Sequence, residues 1–396
     1  MRLWIEAAYQ SLVRAGVETG RDAVCTFQTE EQFFAVVVSE SQGAGRGARA
    51  DLIAEETASL LEQGVPLSTV VEATLKALPE GEHVPFSILQ VRPSAGSLQP
   101  SAFLEARLVE CDAPPLFMTR GGELVLLPVV EEEVRGRLIR QCEFSLQDGD
   151  YLAMVSEGYV CAKGWDQCWG WRDIATAVKR LTDTRCDAEQ LLGALIRSYR
   201  RLAGVQSETL NPREASEISV SVVALFVRPM RTATVWSGPP TRRDLEEVML
   251  NKLTDETGAR AICGDTTAEI AARLLGAKIE MEPRPENGWA EVPPTSRLAG
   301  MDLVTEGVVT MGKARGRIAE AKRAKDLPRK EDGATRLARL LLNADKIHFL
   351  VGLAVNPAQT ADLPDGAGKV PLRKIVVEDL MRDLKARGKV IAVEYF

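Results

Sequence analysis

The sequence is poor in histidine and has no closely spaced pair of cysteines. His83 and His348 are the two histidines among its 396 residues, which argues against a zinc site built from several histidines. Cysteines occur at widely separated positions, which are Cys25, Cys111, Cys142, Cys161, Cys168, Cys186 and Cys263. Their odd number and the lack of a Cys-x-x-Cys motif predict reduced thiols in a cytosolic protein.

The chain also lacks an excess of basic charge and any long apolar run. It has 49 Lys and Arg against 56 Asp and Glu, a formal net charge of −7, which argues against a nucleic-acid partner because such proteins rely on clustered basic side chains. No apolar run approaches the roughly 18–20 residues that span a bilayer, so no membrane partner is expected. Glu6 and Arg14 interrupt the apolar pattern of residues 1–16, which predicts an amphipathic helix rather than a signal peptide. We therefore expect a cytoplasmic protein.

Residues 1–229 are rich in short β-type runs. Examples are "FFAVVV", "ELVLLPV" and "ISVSVVALFV", and turns with glycine, aspartate or proline separate many of these runs. Two helical blocks, within residues 50–78 and 171–204, have apolar residues three and four positions apart. Strand runs around pairs of helices predict an α+β domain in which helices cover antiparallel sheets.

In residues 230–396 strand and helix patterns alternate. "TATVWSG" is followed by "RRDLEEVMLNKL", and "ARAICGD" is followed by "TAEIAARLLG". This alternation predicts a second domain, of the α/β class, with a mostly parallel sheet. We therefore expect two domains, residues 1–229 and residues 230–396.

A glycine-rich turn follows the apolar run at residues 33–38. Gly43, Gly45 and Ala48 match the Gly-x-Gly-x-x-Ala part of a dinucleotide-binding fingerprint. That fingerprint also needs a second strand that ends in an acidic residue about 20 positions further on. Helical patterns follow the turn instead, so we do not predict a dinucleotide site here.

Three segments taken together resemble a known family. They are "SESQGAGRGARAD" (39–51), "DGDYLAMVSEGYV" (148–160) and "ASEISVSVVALFV" (215–227). In order and spacing they are similar to the signature segments of the SpoIIE-type branch of metal-dependent protein serine/threonine phosphatases, the PPM family. Those segments run Asp-Gly-x-Gly-x-Gly, a strand ending in Ser-Asp-Gly, and Asp-Asp before a valine-rich strand.

The resemblance implies a sandwich of two β-sheets flanked by helices. Aspartates at one end of that sandwich hold two Mn²⁺ or Mg²⁺ ions, which suits hard cations that prefer carboxylate oxygen and water. The ions would generate hydroxide for attack on a phosphoserine or phosphothreonine, so the resemblance also implies a phosphoprotein partner.

The sequence departs from the family at each of these aspartates. In the first segment, keeping the glycines in register places Gln42, just before Gly43, at the aspartate's position, whereas keeping the strand in register places Glu40 there. We favour Gln42. In the second segment Glu157, followed by Gly158, stands where the family has aspartate.

The third segment and an upstream strand depart as well. Ser216 and Glu217 replace the Asp-Asp pair, and Thr26 and Phe27 replace the family's Gly-Asp. Glutamate keeps the charge but has one more methylene, and glutamine, serine and phenylalanine have no charge. The positions at which a metal could still be held are Glu40, Gln42, Gly43, Glu157, Gly158 and Glu217.

These substitutions leave three interpretations. We favour a phosphatase-like signalling protein whose activity is weakened or lost and whose domain serves in binding or regulation. Alternatively, Glu40, Glu157 and Glu217 rebuild a site for a single metal ion with residual activity. The third interpretation is that Glu157 and Glu217 lie in ordinary surface turns.

The second domain contains motifs of its own. "WSGPP", "CGDTTAEIAARLLG" and "VPPTSRLAGMDLVTEGVVTMGK" resemble a domain attached to one subgroup of SpoIIE-type phosphatases. Because the carboxyl ends of parallel strands meet at one edge of a sheet, where helix N-termini favour anions, we expect a small anionic ligand there, a nucleotide or a phosphorylated metabolite. The candidate residues are Gly238, Gly264, Asp265, Thr266, Thr267, Thr305 and Glu306, with Gly307 and Asn356 in reach of the same edge.

Two considerations oppose this ligand site. The pair Thr266 and Thr267 is equally consistent with a simple helix N-cap. The negative charge of Asp265 would also repel a phosphate. The alternative function for the whole chain is therefore a small-ligand regulator that acts through the second domain.

Overall fold

The computed structural model describes most of the chain. The described residues are 2–12, 22–39, 50–79, 82–94, 103–161, 171–183, 185–203, 219–283, 292–321, 323–354, 360–362 and 369–396. The chain divides into two compact units, Met1–Pro229 and Met230–Phe396.

The first unit contains two antiparallel sheets and helices. Its strands are β1 (Leu3–Leu12), β2 (Ala23–Gln28), β3 (Phe33–Val38), β4 (Phe86–Pro93), β5 (Leu104–Cys111), β6 (Phe117–Arg120), β7 (Glu123–Leu124), β8 (Val130–Val134), β9 (Arg137–Leu146), β10 (Tyr151–Val155) and β11 (Val220–Pro229). Its helices are α1 (Ala50–Glu62), α2 (Leu67–Ala77), α3 (Glu157–Val160), α4 (Trp171–Thr182) and α5 (Ala188–Leu202). The sheet orders are β1-β11-β10-β6-β7 and β2-β3-β4-β5-β9-β8.

Buried side chains show how these layers pack. Ile5 and Leu225 of one sheet share a hydrophobic core with Phe33 and Leu89 of the other, so the two sheets face each other. On the outer side of the first sheet, α4 and α5 bury side chains such as Leu195. On the outer side of the second sheet, α1 and α2 do the same. The expected α+β sandwich of two sheets flanked by helices is confirmed.

The predicted amphipathic helix at the start of the chain is wrong. Residues 3–12 form β1, which pairs antiparallel with β11 from Leu3 opposite Pro229 to Leu12 opposite Val220. In β1, Ile5 faces the core between the sheets, whereas Leu12 faces the helical layer. Apolar residues that serve both faces of a strand can also fit a helical spacing, and here pairing with a buried strand decides the structure.

The second unit is a mostly parallel sheet between helical layers. Its strands are β12 (Thr232–Ser237), β13 (Ala259–Cys263), β14 (Glu280–Met281), β15 (Ser296–Arg297), β16 (Leu303–Thr305), β17 (Lys346–Val351), β18 (Thr360–Asp362), β19 (Lys369–Pro371) and β20 (Val390–Tyr395). Its helices are α6 (Leu245–Asp255), α7 (Asp265–Leu275), α8 (Val308–Glu320), a 3₁₀ turn (Ala324–Asp326), α9 (Gly333–Asn343) and α10 (Leu372–Lys385).

The main sheet of this unit has the order β14-β15-β16-β13-β12-β17-β20. The five strands from β16 to β20 in this order pair in parallel, whereas β14 and β15 add antiparallel pairs at one edge. Helices α8, α9 and α10 bury side chains against one face of the sheet, and α6 and α7 do so against the other. The predicted α/β domain with a mostly parallel sheet is confirmed.

Two sequence-based expectations concern the cellular compartment of the protein. In the described part of the chain, no helix has the length and apolar character needed to cross a membrane. Cys25, Cys111, Cys142, Cys186 and Cys263 are free thiols. Cys161, however, is disulfide-bonded, so the expectation that all cysteines are reduced is wrong at that position. A cytoplasmic location stays a prediction.

Candidate functional site

Three turns meet at one edge of the parallel sheet in the second unit. β12, β13 and β16 are adjacent parallel strands, so their carboxyl ends lie side by side. A cavity of about 130 Å³ lies at these strand ends. Its lining residues are Ser237, Gly238, Pro239, Cys263, Gly264, Asp265, Thr266, Thr267, Glu306, Gly307, Val308, Met311 and Arg373.

Backbone contacts fix the turn after β12. The indole Nε1 of Trp236 donates a 2.9 Å hydrogen bond to the carbonyl of Gly238, and the backbone N–H of Gly352 donates a 2.9 Å bond to the carbonyl of Ser237. A Cβ atom on Gly352 would lie 2.1 Å from the carbonyl oxygen of Pro239, so only glycine permits this approach. Gly238 itself has φ +81°, in the left-handed region that favours glycine. These contacts hold the turn after β12 in place beside the cavity.

Helix α7 begins at the cavity without a side-chain cap from any described residue. Its N-cap is Gly264, with φ +130°, and the backbone N–H of Gly264 donates a 2.8 Å hydrogen bond to the carbonyl of Thr305. The alternative that Thr266 and Thr267 only cap this helix is therefore wrong. Thr267 is fully buried, and its Oγ1 has no hydrogen-bond partner among the described residues. The first-turn N–H groups of a helix have no acceptor within the helix, so they are available to a ligand.

Helix α8 begins beside α7. A Cβ atom on its N-cap, Gly307, would lie only 3.5 Å from the Cα atom of Gly264. At the start of α8, however, a carboxylate of the protein itself accepts from the helix. Oε2 of the half-buried Glu306 accepts hydrogen bonds from the backbone N–H of Thr310, at 3.1 Å, and from its hydroxyl, at 3.4 Å. At the start of α7, by contrast, no described side chain accepts from the first-turn N–H groups.

Arg373 provides the positive charge of the cavity. It lies in the first turn of α10, and only 9% of the residue is exposed. Its guanidinium packs against Gly238, because a Cβ atom there would lie 1.9 Å from Nη1. Nη1 has no hydrogen-bond partner in the described structure. Burial lowers the pKa of Arg373 from its usual range, since removal from water disfavours the charged form.

The other ionisable side chains of the cavity differ in their roles. Burial raises the pKa of the Cys263 thiol to about 12, so this cysteine is a neutral, buried side chain and a poor nucleophile at neutral pH. Asp265 is the first residue of α7 and is exposed. The described lining of the cavity thus combines the buried cation of Arg373 with two carboxylates, those of Asp265 and Glu306.

The structure brings most of the predicted ligand residues of the second unit together. Gly238, Gly264, Asp265, Thr266, Thr267 and Glu306 all line the cavity. Thr305 is buried behind them and supports Gly264 through its carbonyl. Asn356 lies outside the described residues. Sequence reasoning missed Arg373, although a basic residue in the first turn of a helix, unfavourable for the helix dipole, is a signal that could have found it.

The predicted metal site of the first unit is described only in part. Glu40, Gln42, Gly43 and Glu217 lie outside the described residues, as does Ser216. Glu157 is the first residue of α3, directly after the end of β10, and Gly158 beside it is buried.

Glu157 contacts groups that the sequence did not suggest. Its backbone N–H donates a 3.2 Å hydrogen bond to Ser39 Oγ. Its carboxylate Oε2 lies 3.3 Å from Nε2 of His83, whose Nδ1 lies 3.9 Å from Oδ2 of Asp112. Among the residues that the structure describes, no group of three or more His, Cys, Asp or Glu could hold a metal ion. The described donors therefore do not by themselves fit a binuclear metal site.

The two residues at which the resemblance implies a Gly-Asp pair are part of a packed hairpin. Thr26 and Phe27 belong to β2 and pair with Ala35 and Phe34 of β3. The rings of Phe27 and Phe34 stack with their centroids 5.4 Å apart. The side chain of Phe27 contributes packing at this position and offers no metal-binding atom.

No protein-family model matches the chain, and no curated protein matches it in sequence. Among solved structures, the chain is similar to the phosphatase domain of the cell fate determinant SpoIIE from Bacillus subtilis. The identity is 16% and the TM-score 0.39, and the match covers 57% of this chain and 93% of that chain.

Two further structures are similar over the same share of the chain. For RsbX in complex with magnesium, the identity is 11% and the TM-score 0.39, with 56% of this chain and 95% of that chain covered. For the catalytic domain of the serine/threonine protein phosphatase PstP, in complex with two manganese ions, the identity is 14% and the TM-score 0.34, with 57% and 100% covered. The structures that this chain resembles are thus phosphatase domains of the PP2C and SpoIIE type, at low identity and over part of the chain.

Proposed function

We propose that the protein is a regulator that binds a small phosphorylated metabolite, or a nucleotide through its phosphate, in the cavity of the second unit. The observation that carries this proposal is the buried guanidinium of Arg373, whose Nη1 has no partner among the described residues. A buried charge without a partner is costly, and proteins compensate such charges with a counter-charge or hydrogen bonds. An anionic ligand supplies both.

The surroundings of Arg373 favour an oxyanion as this ligand. The start of α7 offers N–H groups and a positive dipole end, which together attract phosphate. The hydroxyl of Thr267, buried and unpartnered, is a further donor at the same cavity. Cationic, hydroxyl and backbone donors at one cavity suit the recognition of a phosphate.

Ligand-induced stabilisation tests this proposal. Thermal unfolding of the full chain is measured in inorganic phosphate and adenosine monophosphate, each against chloride at the same ionic strength. Because a ligand that binds the folded state stabilises it, we expect a saturable rise in Tm, equivalent to about 2.7 kcal/mol at 100 times the Kd. If neither probe raises Tm above the chloride control, the proposal is wrong.

For the first unit we propose a phosphatase-like module whose metal site is weakened or lost and which binds a phosphorylated protein. Two observations support this. Phe27, at a position where the resemblance implies a metal-binding aspartate, stacks on Phe34 instead. Glu157 lies beside His83, at 3.3 Å, a contact that engages one of the remaining carboxylates. Mn²⁺ or Mg²⁺ would be the cation if a site for a single ion is retained.

A phosphatase assay distinguishes these alternatives. The full chain is incubated with a phosphoserine peptide, with Mn²⁺ or with a chelator, and compared with Glu157→Ala. Because a two-metal mechanism needs about four carboxylates to hold both ions, we expect no Mn²⁺-dependent turnover above background in either protein. Robust turnover that depends on both Mn²⁺ and Glu157 would contradict a lost site and favour the single-ion interpretation.

A further inference from the structure

The described side chains that line the cavity carry charges of both signs. Among the described lining residues Arg373 is the one cation, whereas Asp265 and Glu306 are both carboxylates. A phosphate held near Arg373 would therefore have carboxylates for neighbours. A ligand that fits this cavity must therefore offer a hydrogen-bond donor to a carboxylate as well as an anionic group to the arginine.

The structure accounts for Glu306 but not for Asp265. Oε2 of Glu306 accepts two hydrogen bonds from Thr310 at the start of α8, which engage that carboxylate within the protein. Asp265 makes no hydrogen bond and no ion pair with any other described residue, although its position in the first turn of α7 suits its charge. Asp265 is therefore a carboxylate with both oxygens open to a ligand.

The position of Asp265 just after the end of β13 indicates which kind of ligand group donates a hydrogen bond to it. Gly238 follows β12, the first parallel strand along the chain, and Asp265 follows β13, the second, which lies beside it in the sheet. In doubly wound sheets that bind dinucleotides, an acidic residue after the second strand accepts a hydrogen bond from a ribose hydroxyl. Here the open helix start belongs to α7, after the second strand, so the phosphate and the hydroxyl acceptor lie at the same turn.

We propose that the ligand is a phosphate ester with hydroxyl groups next to the phosphate, such as a sugar phosphate or a nucleoside monophosphate. Its phosphate contacts Arg373 and the first-turn N–H groups of α7, and a neighbouring hydroxyl donates to the carboxylate of Asp265. This inference rests on the anion site proposed above and assigns Asp265 as the residue that selects among anions.

A matched pair of ligands tests the role of Asp265. Calorimetry is carried out on the full chain with glycerol 3-phosphate and with propyl phosphate, which has the same carbon chain without the hydroxyls, in the presence of a chelator. Because a hydrogen bond to a carboxylate is strong, we expect glycerol 3-phosphate to bind about tenfold more tightly, which corresponds to about 1.4 kcal/mol. In Asp265→Asn this preference falls to about twofold or less.

Glu269→Gln is the matched control, because Glu269 is an exposed carboxylate on the same helix that does not line the cavity. This variant removes one charge and should keep the tenfold preference. Equal binding of the two esters by the native chain would overturn the inference while leaving the anion site intact. So would an equal gain in affinity for both esters in Asp265→Asn. Failure of both esters to bind would instead overturn the anion site itself.

Discussion

Arg373→Met is expected to abolish phosphate binding and to leave the ligand-free protein as stable as the native chain or more stable. Truncating one partner of a buried, hydrogen-bonded charge pair costs about 2–5 kcal/mol of binding, which is a loss of roughly 30-fold or more in affinity. Without ligand the effect reverses, because methionine fills a similar volume and removes a buried charge whose Nη1 has no described partner. We expect a gain of about 1–3 kcal/mol in the free energy of unfolding.

Denaturant unfolding and calorimetry with inorganic phosphate measure the two effects separately. Arg382→Met is the control, because Arg382 is an exposed residue of the same helix that pairs with Asp379 on the surface. It should change stability by less than about 1 kcal/mol and leave phosphate binding unchanged. An Arg373→Met protein that is less stable than the native chain and still binds phosphate would show that Arg373 has a structural role instead.

Gly238→Ala is expected to displace Arg373 and to weaken phosphate binding about as strongly as loss of the arginine. A Cβ atom at this position would lie 1.9 Å from Nη1 and 2.7 Å from Cδ of Arg373, so the side chain must move away. The backbone at Gly238 also has φ +81°, where a residue with a side chain costs about 1–2 kcal/mol. We therefore expect lower stability together with at least about tenfold weaker binding.

Gly388→Ala separates these two contributions. Gly388 has φ +74°, but a Cβ atom there would have no neighbour within 4 Å among the described residues. This control should show the backbone cost of about 1 kcal/mol without any change in phosphate affinity. If both variants bind phosphate like the native chain, Arg373 does not contact the ligand.

Much of the fold follows from local patterns in the sequence. Helices such as α1 and α5 have apolar residues on one face, and α5 begins with a capping box between Asp187 and Gln190, so short-range rules suffice to predict them. β1 could not be predicted in this way. Its state depends on pairing with β11, which lies more than two hundred positions away in the chain, and its own pattern fits a helix equally well.

In the candidate site of the second unit, too, some residues could be predicted from the sequence and others could not. The glycines and threonines after β12 and β13 could be placed together because the carboxyl ends of parallel strands share one edge. Arg373 was not, because the signal of a basic residue in the first turn of α10 is shared by Lys374 beside it. Its importance comes from burial and from the lack of a described partner for Nη1, which only tertiary structure reveals.

The first unit shows how one substitution can be interpreted from sequence and another cannot. The resemblance implies an aspartate at the position of Phe27, and the stacking of Phe27 on Phe34 gives this side chain a packing role. The neighbour of Glu157 was not predictable, because His83 lies far from it in the sequence and no motif links the two residues. The residues of a site could thus be predicted only at positions that a family motif defines.

The most direct test of the account is a crystal of the full chain soaked in tungstate, an analogue of phosphate that scatters anomalously. We predict an anomalous peak in the cavity within hydrogen-bond distance of Arg373 Nη1 and of the first-turn N–H groups of α7, and no such peak in crystals of Arg373→Met. A cavity without a peak in the native protein, or an equal peak in the variant, would contradict the claim that Arg373 anchors an anionic ligand.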